Sequence, residues 1–157
     1  MITVLCSGLP AHALNGKSMR LHGTRIESAA MKDDIGKLLL RVTLGVLLLF
    51  HGVAKITGGI EFLHRLMERN DLPSWLAYGV YAGEVLAPLL LIVGWYSRVG
   101  AGLVIVNMLV VFGYAHRADL LTMGRSGGWS LELEAFYLVC AIVVALIGPG
   151  RFAVNRR

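Results

Sequence analysis

The chain has 157 residues, enough for one domain, and is 56% hydrophobic but only 16% charged, with a mean hydropathy of +0.67. A soluble domain carries about 25% charged residues, so there is too little charge here for the polar skin of a water-soluble globule. The net charge is +5, yet no basic stripe interleaved with aromatics is present, which argues against nucleic acid as a partner and leaves the basic residues as flanks of apolar spans.

Residues 1–30 mix Gly, Ser, His, Arg and Pro without a sustained period and are expected to form a disordered tail. The apolar start from Met1 to Cys6 is too short for a signal-peptide core and has no basic flank before it. Met31 opens a short charged run, Lys32-Asp33-Asp34, directly before the first apolar stretch. That placement suggests Met31 as the natural start and the tail as the product of an upstream start. Residues 31–151 are expected to form a single membrane domain, and 152–157 a basic cytoplasmic tail.

A membrane span needs roughly 20 apolar residues. Such stretches occur at about 35–56, 75–95, 99–115 and 131–147. Backbone polar groups in lipid must be satisfied within their own segment, so these are expected to be helices. None shows the ten-residue alternation of a barrel strand. The expected fold class is therefore all-α, an integral membrane four-helix bundle. Tyr96-Ser97-Arg98 marks a tight turn between spans two and three, and Gly124 to Gly128 a glycine-rich loop before span four. Gly148-Pro149-Gly150-Arg151 stops the last helix. Trp75, Tyr78, Trp95, Tyr96, Tyr114 and Trp129 lie near span ends, where an interface would hold aromatics. Between spans one and two, residues 60–69 are amphipathic, with Phe62, Leu63, Leu66 and Met67 on one face. This segment is expected to be an interfacial helix on the bilayer surface, ended by Pro73. An even number of spans puts both termini on one side, together with ten of the 15 Lys and Arg residues. The positive-inside rule then makes both termini cytoplasmic.

Charged side chains at membrane depth are costly and normally face inward with a partner. In span one, Arg41, Gly45, Leu48, Gly52 and Lys55 share one helix face. Gly45 and Gly52 would let a second helix come close. His51 lies one turn before Lys55. Arg41 and Lys55 could equally be interface anchors, and His51 a hydrogen-bonded core residue. Glu84 sits near the middle of span two, either in a structural ion pair with a span-one cation or as a proton-handling or ligand-binding group. Pro88, one turn later, removes a backbone hydrogen bond. Asn107 in span three reads as a contact between helices, and His116 ends that span. Glu132 and Glu134 begin span four. Depth thus gathers His51, Lys55, Glu84, His116 and one of the two glutamates, with Glu134 preferred, into a polar pocket in one half of the bundle. Cys6 and Cys140 lack metal or redox spacing. The only Glu-x-x-His pair, Glu61 with His64, lies outside the spans, so no metal site is expected.

These motifs converge on a known pattern. Leu38-Leu39-Leu40-Arg41 through Gly45, Phe50-His51-Gly52 and Lys55 resemble the first span of the DoxX family. Leu72-Pro73, Glu84, Gly94 through Arg98, Gly127-Gly128-Trp129 with a following acidic residue, and Gly148-Pro149-Gly150-Arg151 continue the likeness over residues 35–151. Phe152-Ala153-Val154-Asn155 departs from the Ser and Asp that often follow in the family. The resemblance implies a four-helix protein of the bacterial plasma membrane and a link to quinone-coupled respiration or redox-stress assemblies. Its expected partners are other membrane or redox subunits, with a homo-oligomer also open. A quinone is the cofactor this suggests, its head hydrogen-bonded by His51 and Lys55 with Glu84 exchanging a proton. The alternatives are a small-solute transporter using the same charges, and a scaffold in which the charges only fix helix register.

Overall fold

The computed structural model describes residues 11–115, 120–124 and 127–155, with side-chain surroundings from residue 27 onward. Among the described residues every regular element is helical, apart from an isolated bridge between Met123 and Trp129. The chain divides into two compact units, Met1–Asp33 and Asp34–Arg157.

In the first unit, residues 11–33 are helical and open the long helix α1 (Ala11–Gly58). The expectation of a disordered tail is corrected here from Ala11 onward. That segment lacks an apolar period, but period is a signature of burial and not a requirement for helix. Ala, Leu, Met, Lys, Arg and Glu all favour helix, and no proline falls between Pro10 and Pro73.

In the second unit α1 is followed by α2 (Glu61–Arg69), α3 (Ser74–Val93), α4 (Ser97–Ala115) and α5 (Glu132–Ile147). Three helical stretches are long and apolar enough to cross a membrane: Glu27–Gly58, Ser74–Val93 and Ser97–Ala115. The fourth expected stretch is present as α5, but with 16 residues it rises only about 24 Å, against a hydrocarbon core of about 30 Å. Gly94 ends α3 in the left-handed region at φ 77°, where glycine has no Cβ to penalise. The backbone N–H of Gly148 bonds the Val144 carbonyl at 3.0 Å and closes α5. The loop before α5 is tied by Gly124 N–H to the Gly128 carbonyl at 2.7 Å and by Trp129 Nε1 to the Leu120 carbonyl at 2.8 Å. Trp129 also stacks on Phe112.

One core draws on four helices: Leu44 and Leu48 from α1, Ala87 and Leu91 from α3, Ala101, Val104 and Met108 from α4, and Tyr137, Cys140, Ala141 and Val144 from α5. Small residues bring the backbones together, as the packing of apolar helices in lipid requires. A Cβ on Gly45 would stand 2.7 Å from Ile92 Cγ1 and 2.9 Å from the Pro88 carbonyl. Phe50, Ile56, Leu89, Val99, Leu109, Phe136 and Leu146 are exposed. An apolar exterior of this extent has no place on a soluble monomer.

Arg41 is the largest fully buried side chain, 1% exposed. Among the described residues its hydrogen-bond partners are main-chain carbonyls. Nη1 donates to the carbonyls of Leu91 at 2.7 Å and Ile92 at 3.2 Å, and Nη2 to that of Phe152 at 2.8 Å. The first two are carbonyls of the last turn of α3, which have no partner within the helix, and a cation there also meets the negative end of the helix dipole. Gly94 makes room, since a Cβ on it would collide with Arg41 Nη1. The chain after α5 is held to the same end: Asn155 N–H bonds the Gly94 carbonyl at 3.1 Å, and Arg151 N–H bonds Asp34 Oδ1 at 2.9 Å. Gly150, at φ 74°, turns the chain there beside Lys37, and the Arg98 guanidinium lies against Gly148. The Gly148-Pro149-Gly150 stop thus leads into a lock on α1 and α3.

The amphipathic segment forms α2, and its apolar face meets protein. Met67 is buried with Ile60, Ala77 and Val80, and Leu63 and Leu66 pack against that cluster. Phe62 remains exposed.

Candidate functional site

The site begins with an irregularity in α3. Its turn over Ala82–Leu86 is a wide π turn between ordinary helical segments. Pro88 accounts for it. In a regular helix the proline ring would press on the carbonyl of Glu84 and offer it no hydrogen bond, and one extra residue per turn relieves both. Such turns recur at functional sites. Here it carries Glu84, 3% exposed. The Glu84 carbonyl meets α1 at Gly52, where an added Cβ would collide with it. Lys55, one turn further along α1, is thereby brought onto the Glu84 side chain.

Lys55 Nζ donates to both carboxylate oxygens of Glu84 in an ion pair. Asn107 Nδ2, from α4, donates to Glu84 Oε1 at 3.3 Å. The Asn107 side chain lies against Gly83, where no Cβ would fit. The Tyr81 hydroxyl donates to the Lys55 carbonyl at 3.5 Å. A second polar group joins α1 to α5: the Tyr137 hydroxyl lies 3.4 Å from His51 Nε2, with the two rings edge to face at 5.8 Å. Glu134 is three residues before Tyr137 on α5, on the same helix face.

Both groups open onto one cavity of about 560 Å³, with His51, Lys55, Glu84, Asn107, Glu134 and Tyr137 on its polar wall. The rest of the lining is almost wholly apolar and comes mostly from α2, α3 and α4, with Leu48 of α1 and Leu72 of the α2–α3 linker. The volume is that of a small-molecule site, and a few convergent polar groups in an apolar pocket are the usual composition of one. Lys55 and Glu84 neutralise each other. Lys55 keeps one N–H beyond the two turned to Glu84, and its side chain is 32% exposed.

Of the residues expected to gather, His51, Lys55, Glu84 and Glu134 line one cavity, and Glu132 is not in its lining. Glu132 is exposed and lies beside Gly128. His116 lies outside the described residues. Arg41 is the residue that goes elsewhere. It shares a helix face with Lys55 but reaches the other end of α3. Tyr137 is a wall residue that the reading of the sequence leaves out. Its signal is the spacing from Glu134 together with burial. Asn107 links α4 to α3 as a helix contact would, and also stands on the wall. Among the described residues no three His, Cys, Asp or Glu side chains come together as a metal ion would need.

The family profile of DoxX matches residues 36–117. A protein of Bacillus subtilis (strain 168), given the provisional name oxidoreductase CatD, is 32% identical over 122 residues, covering 78% of this chain and 86% of its own. No solved structure matches the chain.

Proposed function

The chain belongs to the DoxX family, and from that premise we propose that it is a small membrane subunit of a quinone-linked redox assembly. With the apolar exterior, this family makes it a protein of the lipid bilayer. In our reading α5 crosses beside the three longer spans, α2 covers the cavity near the interface, and both termini face the cytoplasm of a bacterial plasma membrane. The Lys and Arg asymmetry supports that orientation. The oxidoreductase name of the B. subtilis relative supports redox chemistry.

The observation that carries the reading is the neutral ion pair on the wall of an apolar cavity. Lys55 and Glu84 cancel each other's charge, Glu134 is the other carboxylate on the described wall, and so apolar a cavity suits an uncharged molecule that seeks hydrogen bonds. A quinone head fits these residues: it has two carbonyl oxygens, and the wall offers the remaining Lys55 N–H and the His51–Tyr137 pair. A bound quinone would supply the redox chemistry, with electrons coming from a partner subunit. The chain's own residues would orient the head and hold protons near it. Glu84, tied by Lys55 and Asn107, keeps the wall ordered. His51, which among the described residues meets the Tyr137 hydroxyl at Nε2, would pass a proton to or from the head through that pair.

The test is purification in mild detergent, followed by mass spectrometry of co-purified lipid-soluble molecules and an absorbance spectrum. Bound quinone, lost from Glu84→Gln, is the expected result. Protein that carries no quinone and takes up none when it is added would refute the reading.

A further inference from the structure

The cavity wall can be divided by exposure. The apolar side chains that both line it and stand open to the surroundings are Phe62 of α2 and Leu76 of α3 on one side, and Val106, Val110 and Tyr114 of α4 on the other. Val106 is 61% exposed and Val110 43%. Glu84 and Tyr137 are buried, while Lys55 and Glu134 are half-buried. His51, on α1, is the polar lining side chain that is also exposed. The opening between α2–α3 and α4 therefore carries no charge among its described side chains.

Its depth is set by α4, which crosses 19 residues. Val106 lies about 14 Å of helix rise from Ser97 and Val110 about 20 Å, both inside a hydrocarbon core of about 30 Å. An opening at that depth faces acyl chains. Water reaching the cavity by this route would have to cross hydrocarbon, whereas a molecule dissolved in the bilayer would not.

We propose that the cavity is loaded sideways from the bilayer, and that its ligand is a tailed, uncharged amphipath. Its head meets Lys55, Glu84 and His51, and its apolar tail leaves between Phe62 and Leu76 on one side and Val106 and Val110 on the other. The proposal rests on the cavity being the ligand site, and extends that reading from the head group to the whole molecule. A tail held in the opening lets the ligand stay partly in lipid while bound, and so removes part of the desolvation that a water-borne solute would suffer.

Two measurements in lipid nanodiscs test it. A nitroxide placed by Val106→Cys, with Cys6→Ser removing one native thiol and Cys140 buried, reports what reaches the opening. Collision with dissolved oxygen should exceed collision with a water-soluble nickel chelate several-fold. A chelate-dominated signal would overturn the proposal whether or not any quinone binds. In stopped-flow binding of decylubiquinone, Val106→Trp and Val110→Trp should slow association about tenfold, a change within the one to three decades that association rates span among variants of one site. Leu109→Trp, exposed on α4 but off the wall, should leave it unchanged. Equal rates in all variants would also overturn lateral loading. Failure of the wild type to bind decylubiquinone would instead remove the quinone reading, with the nitroxide still deciding what the opening faces.

Discussion

Arg41 and Lys55 stand on the same face of one helix, about 21 Å apart by helix rise, and the protein uses them in opposite ways. Arg41 is closed off completely. Its guanidinium bonds three main-chain carbonyls from two segments, a task that suits a planar fork with several donors. Lys55 pairs with a carboxylate, keeps a third of its side chain open and borders a cavity. One end of the molecule is built to be dense and the other to be hollow. A buried cation in itself therefore says little about function; what matters is whether it is packed away or borders open space. The packed end should govern stability, and the end beside the cavity should govern binding.

The largest effect expected is at the dense end. Arg41→Met removes a shared donor from three main-chain carbonyls and should cost about 3–5 kcal/mol, a buried acceptor left unsatisfied being worth about 1–3 kcal/mol. Thermal unfolding in detergent would read it, and quinone affinity of the surviving folded protein should be unchanged. Arg41→Lys should recover only part, because one ammonium cannot span the same acceptors. A matched glycine pair sharpens the contrast. Gly94→Ala meets both a left-handed backbone and Arg41, and Gly52→Ala meets the Glu84 carbonyl. Each should lose about 1–3 kcal/mol by overpacking, but only Gly52→Ala should also weaken quinone binding. Glu84→Gln should cost about 1–3 kcal/mol, since the amide oxygen still accepts from Lys55 or Asn107 but the charge pairing is lost, and yet reduce quinone binding at least about tenfold. Were it to destabilise as much as Arg41→Met while leaving binding intact, the division of labour would be wrong. The smallest change is Tyr137→Phe. It removes a long hydrogen bond to His51, should cost under about 1 kcal/mol, and should alter affinity only a few-fold.

Much of the fold was legible because membrane insertion works locally. Each span must be apolar and satisfy its own backbone, so Ser74–Val93 and Ser97–Ala115 fall within two residues of where hydropathy puts them. The first helix was read short because residues 11–30 show no apolar face, and a helix without one leaves no periodic trace. For α5 the apolar run was plain, but the helix proper is shorter than the run before it reaches Gly148. At the site, depth along each span was enough to gather His51, Lys55, Glu84 and Glu134. It could not separate the two cations of α1 or choose Tyr137, because those depend on how each helix is rotated about its own axis.

The order of residues alone determined that this chain lives in lipid, where its helices stop, and that its few ionisable groups must turn inward, since each follows from the cost of exposing polar groups to hydrocarbon. Tertiary structure decided which of them meet. The wide turn that Pro88 forces in α3 and the contact of the Glu84 carbonyl with Gly52 set the register of α3 against α1. That register gives the carboxylate to Lys55 and leaves the carbonyls at the end of α3 for Arg41. Pairings of this kind depend on the relative placement of whole helices, and no local pattern of side chains encodes it.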